Sequence, residues 1–153
     1  MSSRRAFLTA CTAVLAIAAC ASAPTLDQAP PIVFVHGNGD SASIWQTTIW
    51  RFESNGWPRE RLHAIDMPYP LARSVDAKPE PGRSSAAENM AYLKGEVEKV
   101  LKATGSRQVI LIGNSRGANA IRNYIQNGGG EATVSRAILA GGTNHGVQAI
   151  PGL

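Results

Sequence analysis

The chain has 153 residues, 44% hydrophobic and 17% charged, a balance that fits one globular domain and excludes a disordered or repeat protein. Its formal charge is +4, but Arg4 and Arg5 lie in a segment expected to be removed; 13 basic and 11 acidic residues then remain, a net of +2, too small and too scattered for a nucleic-acid binder. Both cysteines, Cys11 and Cys20, stand near the N-terminus, so no disulfide framework holds the fold.

Residues 1–19 read as an export signal, with Arg4 and Arg5 as its basic start and Ala6 to Ala19 as an uncharged apolar stretch too short to span a bilayer comfortably. Ser3-Arg4-Arg5-Ala6-Phe7-Leu8 resembles a twin-arginine (Tat) signal with Thr9 where lysine is common, which implies export after folding; a Sec signal with an incidental Arg pair is the other reading. Ile17-Ala18-Ala19-Cys20 resembles a bacterial lipobox, which implies lipid attachment at Cys20 and a membrane-anchored lipoprotein of the periplasm or cell envelope. Leu8 to Cys11 fits the same pattern but leaves almost no apolar run before it. Cleavage after Ala23 is the alternative, with Pro24 against it, and gives a soluble secreted protein. Residues 20–30 are small, polar and proline-containing and read as a tether, which leaves 31–153 as the folded domain.

Ile32-Val33-Phe34-Val35 is a continuous apolar run of the kind buried on both faces of a parallel sheet, and it stops at His36-Gly37-Asn38-Gly39. A glycine-rich loop after a strand aims backbone N–H groups at negative charge. A phosphate cradle would use such a loop too, but neither G-K-[ST] nor G-x-G-x-x-G is present. Ser41 or Ser43 can cap a helix with Trp45, Ile49 and Phe52 as a core stripe, ended by Asn55-Gly56 and Pro58. Arg61 to Met67 reads as a strand closed by a turn at Asp66. His63, among charged neighbours, reads as a solvated surface residue.

Tyr69 to Arg83 carries three prolines and one glycine without period and reads as a loop bordering the cleft. Ser85 and Glu88 form a capping box, followed by Met90, Leu93, Val97, Val100 and Leu101 on one helical face. Lys99 and Lys102 suit the far end of that helix, which Gly105 closes. Gln108 to Ile112 is an apolar strand that meets Gly113-Asn114-Ser115-Arg116-Gly117. A helix then carries Ala118, Ile121 and Ile125 and stops at Asn127-Gly128-Gly129-Gly130. Val134 to Ala140 is a last strand, running into Gly141 to Gly146.

The spacing Gly113-x-Ser115-x-Gly117 between a strand and a helix reads as a nucleophile elbow. The glycines permit close packing around a turn sharp enough to strain the serine and expose its hydroxyl, and the helix N-terminus offers unpaired N–H groups to an oxyanion. The bare motif is weak, since it also occurs in ordinary Gly/Ser turns; the strand before it and the helix after it give it weight.

Together the loop, the elbow and the last strand resemble the α/β-hydrolase family, in its bacterial lipase and esterase branches, over residues 31–146. The resemblance implies a doubly wound parallel α/β sheet, incomplete here, with about four strands and three helices and the spatial order fourth, third, fifth, sixth of the family's strands. It implies a serine hydrolase cleaving carboxylic esters, with Ser115 as nucleophile, the N–H groups of Asn38 and Arg116 as the oxyanion hole, and Gly37, Gly113 and Gly117 as the loop and elbow glycines. Neither metal nor cofactor is implied; the partner is a small-molecule, lipid or polyester ester. His36 is read as a brace for the loop and Asp66 as a structural turn residue. Gly141 to Gly146 resembles a G-x-P-H-x-G segment with Asn144 in place of proline, in which His145 supports the loop.

The family's triad runs Ser, then Asp or Glu, then His, on later strands. After Ser115 only Glu131 and His145 are of the right types, and nothing supplies the seventh and eighth strands. The expectation is therefore the front part of a longer hydrolase, nearly inactive alone. A non-catalytic binding lipoprotein on the same scaffold and an acyltransferase of the same fold are the alternatives.

Overall fold

Ile32–Val35 forms β1, buried on both faces, because its four residues sit between two layers of helix. In the computed structural model, which describes residues 25–143, β1 pairs in parallel with β2 (Leu62–Ile65) on one side and β5 (Val109–Asn114) on the other. Beyond β5 lies β6 (Val134–Ala140), so the order is β2-β1-β5-β6. This is the succession that the family resemblance implies. The signal segment, Cys20, Asn144 and His145 lie outside the described residues.

Alternation along β1 divides the core. Ile32 and Phe34, with Leu62 and Ile112, face α1 (Gln46–Ser54) through Ile49, while Phe34, Trp45, Phe52 and Trp57 form a chain of ring contacts 5.4–5.8 Å apart. Val33 and Val35, with Ile65, Val109 and Leu111, face α2 (Ala86–Thr104) and α3 (Arg116–Asn127) through Leu93, Val97, Ile121 and Tyr124. Burying each such side chain contributes about 1.5–3 kcal/mol before entropy is counted. The sheet is thus covered on both faces where β1 runs, but most of β6 is exposed, Ile138 at 56%.

The capping box of α2 is complete: Glu88 N–H donates to Ser85 Oγ at 3.1 Å and Ser85 N–H to Glu88 Oε2 at 2.7 Å, and Gly105, in the left-handed conformation, ends the helix.

Two expectations need correction. Neither Ser41 nor Ser43 caps the first helix by its side chain. A 3-10 turn, Ala42–Trp45, precedes α1, and Asp66 from the end of β2 accepts the Ala42 N–H at 2.7 Å. The serine hydroxyls bond each other at 2.6 Å instead. The segment 69–83 is not all loop, because β3 (Leu71–Ala72) pairs in parallel with β4 (Arg83–Ser84). Arg83 Nη1 donates to Ala72 O at 2.6 Å and Ser84 Oγ to Tyr69 O at 2.7 Å. A two-residue ladder is too short to leave a period in the sequence.

Candidate active site

β1 and β5 end side by side, and the loop after β1 meets the turn after β5 to build the site. Past β5 the chain turns at Ser115, with φ +49° and ψ −121°, the one non-glycine residue of positive φ among those described. An L-residue holds such a conformation only when its surroundings enforce it. Here they do: Ser115 N–H donates to Ala140 O at 2.8 Å, extending the β5–β6 ladder past the turn, while α3 begins at the next residue. The Ser115 side chain makes no capping bond and the residue is exposed.

The flanking glycines are required by close approach. A β-carbon on Gly117 would overlap the Val35 carbonyl oxygen and lie 2.6 Å from that of His36, and one on Gly113 would lie 2.6 Å from Ile121 Cδ1 and 2.9 Å from the Gly117 carbonyl carbon. Gly37 stands across from the turn: a β-carbon there would be 3.1 Å from Ser115 Cβ. The loop and the elbow are therefore in contact.

His36 is 2% exposed and both ring nitrogens are engaged. Met67 N–H donates to Nε2 at 3.0 Å, so Nδ1 carries the hydrogen and donates to Gly37 O at 2.9 Å. The ring braces the loop and has no nitrogen left for proton transfer. Asn38 is fixed from the other side, where its Oδ1 accepts the Ala72 N–H at 2.6 Å, and Gly39 N–H donates to Pro70 O at 3.2 Å. The backbone N–H groups of Asn38 and Arg116 donate to no other described residue.

The Arg116 side chain extends in the direction of residues 70–85. Its Nη1 donates to Pro70 O at 2.9 Å, and its Nη2 to Ser84 O at 2.6 Å and Ser84 Oγ at 3.1 Å. Burial pushes the guanidinium below its ordinary pKa, against the raising influence of Asp76 and Glu88. Asp76 in turn accepts the Ala86 N–H at 2.7 Å, and Arg73 Nη2 donates to both carboxylate oxygens of Glu88, at 2.7 and 2.8 Å. The sequence singled out Arg116 for its backbone alone; its side-chain partners lie 31 to 46 residues away, and no local pattern announces them.

These walls enclose a cavity of about 440 Å³ onto which Ser115, Asn38, Arg116, Ala72, Asn119 and Thr143 open. Its size is that of a small-molecule site. Among the described residues no group of three His, Cys, Asp or Glu is placed to hold a metal ion.

The remaining candidate residues stand apart from it. Asp66 holds the turn before α1 through the Ala42 N–H. Glu131 lies in a 3-10 turn before β6, at the end of the sheet where β5 starts, so the length of β5, roughly 17 Å, separates it from Ser115. His63 is not a solvated surface residue. It pairs with Val33 on the face that carries α2, is half-buried, and its Nε2 is enclosed without a hydrogen-bond partner. Its charged sequence neighbours, Arg59 to Arg61, belong to a 3-10 turn that precedes the strand.

A family model described as Lipase (class 2) matches residues 29–152. Among solved structures, the chain is similar to the lipase BlEst2 of Bacillus licheniformis. The mature form matches with 28% identity and a TM-score of 0.58, over 79% of this chain and 44% of that one. The propeptide form matches with 27% identity and a TM-score of 0.57, over 82% and 24%. MenH of S. aureus, at 19% identity and a TM-score of 0.54 over 84% and 42%, shares the fold. The chain spans less than half the length of each of these proteins, and its four parallel strands and three helices form an incomplete α/β-hydrolase fold. Since the family match takes in all but the first 28 residues and the last one, the chain belongs to the class 2 lipase family.

Proposed function

We propose that this chain carries the nucleophile and the oxyanion hole of a serine ester hydrolase. The observation that carries the reading is the Ser115 backbone, held at φ +49° by β5, β6 and α3 with its hydroxyl uncommitted on the lining of the cavity. In this reading Ser115 Oγ attacks the ester carbonyl carbon while a histidine takes its proton. The oxyanion rests on the Asn38 and Arg116 N–H groups, the alcohol leaves with the proton, and water releases the acid by the reverse sequence. His36 has no free nitrogen, Glu131 is a strand length away, and His145 is read as a support for its loop, so this reading assigns the acid and the base to chain beyond residue 153. The share of the relatives' length that is matched, 24–44%, supports this.

The test is labelling with a fluorophosphonate probe in the full-length protein. Wild type is expected to label and Ser115→Ala to stay silent; an unlabelled wild type, or equal labelling of the variant, would sink the reading.

The signal segment and the lipobox-like Ile17 to Cys20 support export through the Tat route and anchoring by lipid at Cys20, with residues 20–30 as a tether. Incorporation of radiolabelled palmitate that disappears in Cys20→Ala is the expected result; incorporation that survives the change assigns the lipid elsewhere.

A further inference from the structure

Four asparagines line the cavity beside Ser115, and three of them are bound into its walls. Asn38 Oδ1 accepts the Ala72 N–H at 2.6 Å. Asn119 holds Thr143 twice, its Nδ2 donating to Oγ1 at 2.8 Å and its Oδ1 accepting the N–H at 3.1 Å. Asn123 donates to Ala86 O at 3.3 Å and accepts from Asn127 at 2.7 Å. Asn89 differs. It sits one turn inside α2, on the buried side, and is 6% exposed. Its backbone N–H makes the helical bond to Ser85 O, but its side-chain amide has no hydrogen-bond partner among the described residues.

Asn89 also lines a second cavity of about 290 Å³, bounded by Met67, Tyr69, Ser84 and Tyr92. It is the residue that the two cavities have in common. The amide atoms are not among the enclosed side-chain polar atoms that lack a partner, so they face the open space of the two cavities; asparagine is a poor helix former, and leucine or methionine would suit the helix better. An amide that no wall residue engages, opening on the cavity beside Ser115, is free to hydrogen-bond a ligand lodged there.

We propose, resting on the ester-hydrolase reading, that Asn89 is a specificity-determining residue of the substrate cleft. Its amide hydrogen-bonds a polar oxygen on the part of the ester lodged in the cavity. The substrate class is accordingly an ester that carries a hydroxyl or a second carbonyl on that arm, as opposed to a purely alkyl one. The amide can serve either, since it offers both a donor and an acceptor.

The test compares two esters of equal chain length in the full-length protein, methyl pentanoate and methyl 4-hydroxypentanoate, with wild type, Asn89→Leu and Asn89→Ala. The expected result is a fall of about three- to tenfold in kcat/KM for the hydroxylated ester relative to the alkyl ester in both variants, the worth of one neutral hydrogen bond. Asn89→Leu is also expected to melt no lower than wild type, because no protein partner is lost. Intact Ser115 labelling with an unchanged ratio in both variants overturns the role of Asn89 and leaves the hydrolase reading standing. A markedly lower melting temperature for Asn89→Leu overturns it too, by showing that the amide is a structural group. Absence of Ser115 labelling in wild type overturns both readings together.

Discussion

The carbonyl oxygen of Val35 occupies the place where a β-carbon on Gly117 would go, so the first turn of α3 rests directly on the backbone at the end of β1. This contact sets how closely the elbow approaches the loop that carries Asn38. Gly117→Ala must separate two pieces of backbone, neither of which has a flexible side chain to yield. The expected cost is about 3 kcal/mol, the upper end for an overpacked core, read as a lower urea midpoint. Fluorophosphonate labelling is expected to fall further than the stability loss explains, since the displacement passes through Ser115; a variant as stable and as reactive as wild type would remove the contact from the account.

Arg116 joins the elbow to the excursion that borders the cleft through Pro70 and Ser84. Arg116→Met keeps the backbone N–H and most of the side-chain stem but removes every one of those donors. Hydrogen bonds from a charged group contribute about 1.5–3 kcal/mol each when buried, so the segment 70–85 is expected to loosen. Limited proteolysis with trypsin should then cut faster after Arg73 and Arg83. Labelling at Ser115 should slow by about ten- to a hundredfold, as expected for a misplaced donor. Arg116→Lys, with one cationic head in place of a fork, should fall between.

His36→Ala tests the brace. The change leaves the Met67 N–H, at a residue 5% exposed, without its acceptor, and frees the Gly37 carbonyl. Loss of the buried hydrogen bond and of the ring's packing together are expected to cost about 2–4 kcal/mol. If His36 were instead a proton-transfer group, the variant would lose activity while keeping its melting temperature, an outcome the two engaged nitrogens argue against.

What could be read from the sequence was local. The apolar run Ile32 to Val35, the capping box at Ser85 and Glu88, and the strand–turn–helix around Ser115 each declare themselves within a few residues, and the structure has them where the pattern puts them. The order of the strands came from the family resemblance. What could not be read depends on partners far apart in the chain. Asp66 reaches back 24 residues to Ala42, Arg116 reaches 46 to Pro70, and β3 with β4 is a ladder of two residues each. Asn89 was hidden by its own element, because one polar residue on a long amphipathic helix ordinarily marks the solvent side. His63 misled for a related reason, as the charges beside it in sequence belong to the preceding turn.

His63 supplies the pH dependence. Burial lowers its pKa from 6.5 and outweighs the opposing pull of the Glu60 carbonyl, with the nearby Arg59 charge adding to the decrease. The unfolded chain therefore binds a proton more readily than the folded one between the lowered value and 6.5. In that window stability rises with pH: the contribution is fully present above pH 6.5 and is lost as pH falls through 6.5 and on through the folded value. His63→Phe keeps a ring on the face that carries α2 and removes the titration. The melting temperature of wild type is expected to drop more between pH 7.5 and pH 5.5 than that of the variant, while the two respond alike from pH 7.5 to pH 8.5. Parallel curves over the whole range would mean that the buried Nε2 is satisfied in solution and that His63 titrates no differently in the folded and unfolded chain.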